Sequence, residues 1–361
     1  MTALPLPKTF RPDPLEQQES TSLLRFIVCG SVDHGKSTLI GRLLYEAGVL
    51  LEDQLTALDQ DSRRHNTEGV DLDFSLLLDG LAAEREQKIT IDVAYRFFAT
   101  ARRKFIVADA PGHEQYTGNM ATGASTADVA LLLVSASEGL TRQTRRHALI
   151  VSMLGVRRFV VVVNKMDQTG WSQSQFRALE TEVRLLVAEI DVDEIAVIPA
   201  AARSGDNVVT RSGRMDWYRG PTVLEYLEQV ETATRSGSAA LRMPIQLVNR
   251  PTSDFRGYSG LIAGGEARPG MDVRILPSGK TTRIQRIVTA DGDLSDAIAG
   301  QSVTLTFADQ IDASRGDVVV DAAAPFEVAD RVSARFVWFD DKPLALDRSY
   351  LLKLATATVR A

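Results

Sequence analysis

Gly30-Ser31-Val32-Asp33-His34-Gly35-Lys36-Ser37 decides the reading of this chain. It matches G-x-x-x-x-G-K-[ST]. LLRFIVC (23–29) before it is a continuous apolar run, as for a strand buried on both faces. TLIGRLLYE (38–46) after it has helical character. Strand, glycine-rich turn and helix together form an anion cradle. Successive backbone N–H groups converge as a nest, and the helix N-terminus adds a favourable dipole. Gly30, Ser31, Val32, Asp33, His34, Gly35, Lys36, Ser37 and Thr38 are therefore the candidate phosphate contacts. Lys36 supplies a cation for β- and γ-phosphates, and the Ser37 hydroxyl suits Mg²⁺.

Outward from this loop, KFIVA (104–108) leads into Asp109-Ala110-Pro111-Gly112-His113. A carboxylate at a strand end is the expected second Mg²⁺ anchor, so Asp109 joins Ser37 as a candidate metal contact. Gly112 can offer a backbone N–H to a γ-phosphate, and His113 can orient the attacking water. FVVVV (159–163) leads into Asn164-Lys165-Met166-Asp167. The Asp167 carboxylate can accept two hydrogen bonds from guanine, which adenine cannot supply there, so the expected nucleotide is GTP. Asn164 can tie this loop to the phosphate loop, and the Lys165 stem can cover the base. Thr90, in EREQKITI (84–91), can close the Mg²⁺ shell when a γ-phosphate is present, making residues 61–90 a switch segment. Lys36, Thr90 and His113 are the candidate catalytic residues.

Further apolar runs VALLLVS (129–135) and EIAVI (194–198) continue the alternation of strand and helix up to residue 231. Helix-like stretches lie around 37–47, 114–125, 142–154, 173–190 and 222–231. This predicts an α/β nucleotide-binding domain over 23–231, its sheet mostly parallel with helices on both faces. Residues 1–22, interrupted by four prolines, read as a flexible tail, and small polar residues at 232–240 read as a linker. Short β-type runs over 241–329 predict a small β-barrel. VSARFVWF (332–339) and SYLLKLATATVRA (349–361) read as the start of a second barrel that 330–361 is too short to complete.

Composition narrows the class. Of 361 residues, 44% are apolar and 24% charged, which excludes a disordered or collagen-like chain. The net charge of −6 lacks the basic excess that phosphate-backbone binding needs, so nucleic acid is not an expected partner. One cysteine, Cys29, excludes an intrachain disulfide and suits the cytoplasm. No apolar run of about 18 residues predicts a membrane span.

The ordered set GSVDHGKST, EREQKITID, DAPGH and NKMD resembles the translation-factor class of GTPases. Longer stretches narrow the resemblance to the sulfate adenylyltransferase subunit 1 family: FSLLLDGLAAEREQKITIDVAYRFF (74–98), PGHEQYTGNMATGAS (111–125), VNRPTSDFRGYSG (248–260) and DQIDASRGDVVV (309–320). It spans roughly residues 20–361. It implies an α/β P-loop GTPase domain followed by β-barrels. It also implies GTP and Mg²⁺ as ligands and a separate catalytic subunit, sulfate adenylyltransferase subunit 2, as partner. That partner joins sulfate to ATP, and GTP hydrolysis on this chain drives the reaction. PAAARSGDN (199–207) aligns with the family's P-x-S-A-L-x-G-D-N. This places Ala201 at the family's Ser and brings the Ala202 N–H to guanine O6.

Several positions depart from the family pattern. His34 stands at an Asp position and Ala110 at a Thr or Cys position. Lys88 replaces a Gly, with an expected strain of about 1 kcal/mol if that position needs positive φ. Gly118 replaces an Arg, with an expected cost of about 1 kcal/mol to its helix. Lys88, Gly118 and Ala201 motivate an alternative reading as a GTP-binding scaffold with little hydrolysis; the shared motifs and His34 also leave a translation-type GTPase open. His65 and His147 are either solvated surface or switch support. Trp217, Tyr218 and Trp338 are either core or interface, and Cys29 reads as a buried, inert thiol.

Overall fold

The computed structural model describes residues 22–65, 72–77, 90–231, 240–252, 255–340 and 342–361. The N-terminal tail before Ser22, the segment carrying Lys88 and most of the linker lie outside the described residues. The chain divides into two compact units. The first runs to Thr232 and includes Arg335–Phe339; the second holds the remainder.

Six strands form the sheet of the first unit: β1 (Ser22–Gly30), β2 (Ala94–Ala99), β3 (Arg103–Asp109), β4 (Val129–Ser135), β5 (Arg158–Asn164) and β6 (Glu194–Pro199). Their order is β2-β3-β1-β4-β5-β6, parallel except for β2, which returns antiparallel against β3. The apolar runs became strands because both their faces are covered. In β1, Leu24, Phe26 and Val28 enter one core cluster while Ile27 and Cys29 enter another. The β1 face carrying Phe26 packs with Leu39, Ile40 and Leu43 of α1 (Lys36–Glu46) and, beyond them, Leu227 of the helix Val223–Gln229. On the opposite face lie α3 (Thr117–Ala124), α4 (Arg142–Met153) and α5 (Gln173–Ala188). The remaining helices are α2 (Glu52–His65), which precedes α3, and α6 (Val223–Gln229).

The edge strand β2 was absent from the sequence-based pattern. AYRFFA alternates exposed and partly buried positions, with Phe97 outward and Phe98 buried, so it lacks the continuous apolar run of a central strand. Helix α2 was missed for a related reason: EDQLTALDQDSRRH is predominantly polar, and Leu58 is buried. The helix expected around 114–125 begins as a 3-10 turn, Glu114–Tyr116, before α3. Despite Gly118, α3 forms.

The second unit contains an antiparallel sheet whose path begins on β7 (Arg242–Pro244) and ends on β8 (Leu247–Asn249). β7 pairs with Val318–Asp321 and β8 with Gly257–Leu261. Only Ile245 and Gln246 separate β7 from β8, so one continuous segment joins both ends of the path and closes the barrel. Tyr258, Ile275, Ile287, Leu305 and Val319 fill its interior. Residues 351–360 form a hairpin, Leu351–Leu354 with Ala357–Arg360. VSARFVWF (332–339), expected to open a further β-structure, forms no ladder, and Val332, Phe336 and Phe339 are exposed. β-branched and aromatic residues favour extended chain, but a strand needs a neighbouring edge, and no described strand supplies one. Val337 instead packs on the core of the first unit.

Candidate nucleotide site

The loops singled out by sequence leave the same ends of the sheet. Gly30, Asp109, Asn164 and Pro199 close β1, β3, β5 and β6 respectively. Parallel strands bring the carboxyl ends of β1, β3, β5 and β6 to one edge, where open α/β sheets bind ligands.

The phosphate loop is held from four sides. Gly30 has φ 140°, and a Cβ there would lie 2.6 Å from the Leu133 carbonyl oxygen on β4, so no other residue fits. Its N–H donates to His147 Nδ1 on α4 at 3.2 Å. That bond makes Nδ1 the unprotonated nitrogen, so Nε2 carries the hydrogen, and the Gln143 side-chain amide 2.7 Å away accepts it by presenting its oxygen. His147 is fully buried, and burial lowers its pKa to about 3. The structure thus removes the solvated-surface reading for His147. His34, also buried, donates from Nδ1 to the Leu133 carbonyl at 3.0 Å. Its Nε2 lies 3.6 Å from Glu138 Oε2. Burial, first, holds its pKa below the ordinary histidine value. Gly35, at φ 88°, caps α1. A Cβ there would lie 2.5 Å from Asn164 Nδ2.

Lys36 is buried, and its Nζ donates to the carbonyl oxygens of Ser31 at 2.8 Å and Gly30 at 3.3 Å. Burial lowers its pKa, opposed chiefly by the Asp109 carboxylate. Gly112 lies directly over the ammonium: a Cβ there would come within 2.3 Å of Nζ and 3.0 Å of the Val32 nitrogen. Asp109, at the end of β3, is also buried. Ser37, Thr38 and Thr90 are partly exposed, and Asp33 is exposed in a left-handed conformation, φ 60°. Beyond Thr90, the Ile91 carbonyl accepts from Asn119 Nδ2 on α3 at 2.9 Å. His113 is partly exposed, and its Nδ1 accepts from the Gln115 N–H at 3.3 Å, capping the turn that begins α3.

Asn164 forms the bridge expected of it. Its Nδ2 donates to the His34 carbonyl at 2.9 Å, and its Oδ1 accepts from the Ala202 N–H at 2.9 Å. The Ala202 N–H, expected at guanine O6, donates here to Asn164. Ala201 is buried, and its N–H donates to the Asp206 carbonyl at 3.1 Å. Lys165, in a left-handed conformation at φ 63°, turns the chain, and Asp167 follows it into solvent. A cavity of about 250 Å³ opens between Gly35, Thr38, Asn164, Lys165, Asp167 and Ala202. Leu72, Asp73, Phe74, Gln168 and Arg203 also line it, and none of them was among the expected site residues. The i,i+4 pair Gln143 and His147 was the available signal for the buried histidine. Trp217 and Tyr218 pack against Phe176 in the core of the first unit, and the Cys29 thiol is buried with its pKa raised to about 12.

Comparison with known proteins decides the family. Residues 21–235 match the family described as elongation factor Tu GTP binding domain. Sulfate adenylyltransferase subunit 1 of Methylorubrum populi is 54% identical over 362 aligned residues, covering 100% of this chain and 77% of that protein. The chain belongs to the sulfate adenylyltransferase subunit 1 family. Among other members of this group, the bifunctional enzyme CysN/CysC of Xylella fastidiosa is 54% identical, over 96% of this chain and 56% of its own length. The S. cerevisiae Ski7 GTPase-like domain bound to GTP shares the fold, with TM-score 0.57 and 18% identity over 83% of this chain and 75% of that one. This chain thus carries a GTP-binding domain of the elongation-factor type over residues 21–235.

Proposed function

We propose that this chain is the GTPase subunit of an ATP sulfurylase. GTP hydrolysis on it drives formation of adenosine 5′-phosphosulfate and pyrophosphate from ATP and sulfate on a separate catalytic subunit, in the cytoplasm. The observation that carries the nucleotide chemistry is the buried Lys36 ammonium. It rests on two carbonyl oxygens of its own loop under Gly112, where arriving phosphate oxygens can replace them. Family membership over the whole chain supplies the coupled reaction.

The residues would divide the work as follows. The backbone of Gly30 to Thr38 cradles the phosphates, and Lys36 turns from its carbonyl partners to the β- and γ-oxygens. The Asp167 carboxylate reads the N–H edge of guanine while Asn164 holds the base loop to the phosphate loop. Ser37, Thr90 and Asp109 offer only hard oxygen donors, which fits a magnesium ion at this site. When bound, that ion would neutralise charge on the nucleotide's phosphates. The Gly112 N–H meets the γ-phosphate, and His113 releases its cap on Gln115 to orient water. Loss of the γ-phosphate frees the segments around Thr90 and Gly112, and the partner subunit senses that change.

The test is pyrophosphate release from ATP and sulfate by this chain with its catalytic subunit, with and without GTP. GTP-dependent release that Asp167→Ala abolishes is expected. Release independent of GTP, with GTP binding intact, would overturn the coupling.

A further inference from the structure

Arg42 lies on α1, outside every nucleotide motif, yet it touches two residues of the cavity wall, Arg203 and Phe74. Its guanidinium donates to the Arg203 carbonyl at 3.4 Å and the Ser204 carbonyl at 3.3 Å, both in the loop after β6. It lies 5.1 Å from the centre of the Phe74 ring and 5.8 Å from that of Tyr45. Glu46, one turn along α1, holds it from behind with a 2.7 Å ion pair. Gly205 completes the fit: a Cβ there would come within 2.3 Å of the guanidinium, and its φ is 86°. Phe74 and Arg203 both line the cavity, and Ala202 beside Arg203 donates the N–H that orients Asn164.

This loop lacks a side-chain tether at the position where one is expected. Ala201 has no hydroxyl, and Ala202 is equally apolar. The loop is fixed by backbone bonds, by Ser204 Oγ donating to Asp206 Oδ2, by Asn164 and, from outside, by the Arg42 fork. A planar guanidinium suits this task because it can donate to two carbonyls while its face packs on an aromatic ring. Lysine has neither the fork nor the flat face.

We propose that Arg42 is a positioning residue for guanine recognition. It binds the loop Ala201–Gly205 to α1 and to Phe74, and so sets the base pocket without touching the phosphates. This rests on the assignment of the cavity as the guanine site.

The experiment compares two probes on the purified full chain by calorimetry: GDP, and inorganic tripolyphosphate, which has no base. Arg42→Met is expected to weaken GDP about ten-fold and to leave tripolyphosphate unchanged. KM for GTP should rise with kcat unchanged. Arg42→Lys should show the same selective loss, and so should Gly205→Ala, which displaces the guanidinium while Arg42 remains. Equal loss for both probes, or a fall in kcat alone, would make Arg42 a purely structural residue and overturn the proposal. Unchanged GDP affinity in Arg42→Lys and Gly205→Ala would overturn it also, even where Arg42→Met failed to fold. Asp167→Ala serves as the reference. If it too leaves GDP affinity intact, the base-site assignment has failed; if it alone weakens GDP, only the role of Arg42 has.

Discussion

The Gly30 N–H donates to His147 Nδ1 at 3.2 Å, joining the first residue of the phosphate loop to a helix 117 positions further along the chain. The next-door residue, Arg146, lies 3.7 Å from Glu114 in the turn after His113. Adjacent side chains of α4 thus reach both phosphate-binding loops. The ring must stay unprotonated at Nδ1 to accept, and burial enforces this by lowering its pKa from 6.5 to about 3. The native ring is therefore neutral where the unfolded chain takes up a proton. Above pH 6.5 the two states hold the same proton count and the effect vanishes. As pH falls from about 6.5 towards 3, stability drops, by up to about 1.4 kcal/mol per pH unit. His34, also held below its ordinary value, adds with the same sign. Urea unfolding at about pH 7.5 and about pH 5 should show this loss, and His147→Gln should reduce the slope. Equal slopes in the two proteins would place its origin elsewhere.

Gly112→Ala should disable the phosphate site. The added methyl would sit 2.3 Å from Lys36 Nζ and 3.0 Å from the Val32 nitrogen, so the ammonium or the loop must move. GTP affinity, read by fluorescent-nucleotide titration, should fall at least about ten-fold. Unchanged affinity would mean that Gly112 moves away when the nucleotide arrives.

His113→Ala should separate binding from hydrolysis. The ring touches no phosphate-loop residue through any described hydrogen bond; it caps Gln115. GTP binding should stay within about two-fold while single-turnover hydrolysis falls about 100-fold or more. Abolished binding would make His113 a structural residue.

Gly118→Ala should stabilise the chain. The position lies in α3, has no positive φ, and a Cβ there meets nothing within 4 Å. Alanine should raise unfolding stability by about 0.5–1 kcal/mol, measured by urea denaturation. A loss would show that the helix needs the glycine for a reason other than space.

The central strands were legible because burial on both faces leaves a continuous apolar signature, as in VALLLVS and FVVVV. The nucleotide loops were legible because glycine, lysine and carboxylate at those spacings have few other uses. Phe97 shows where this reading stops. An edge strand with one open face mixes polar and apolar residues and resembles a loop. The roles of Arg42 and His147 are long-range contacts, 161 and 117 positions from their carbonyl and amide partners, and no local pattern encodes them. The bond from the Ala202 N–H to Asn164 is of the same kind: which acceptor an amide meets is decided by the loop facing it.

The antiparallel return of β2 has a geometric consequence. Its register sets Ala94 opposite Asp109 and Ala99 opposite Lys104. The chain leading into β2, with Thr90, therefore arrives at the end of the sheet that holds the Asp109 carboxylate. A parallel β2 would deliver it to the far end, about 20 Å away for six residues. The hairpin works as a ruler, setting the end of the sheet to which the chain carrying Thr90 returns. Residues 100–102 at its bend set the zero of that ruler. Lengthening the bend would shift the scale while leaving every residue of the nucleotide motifs in place.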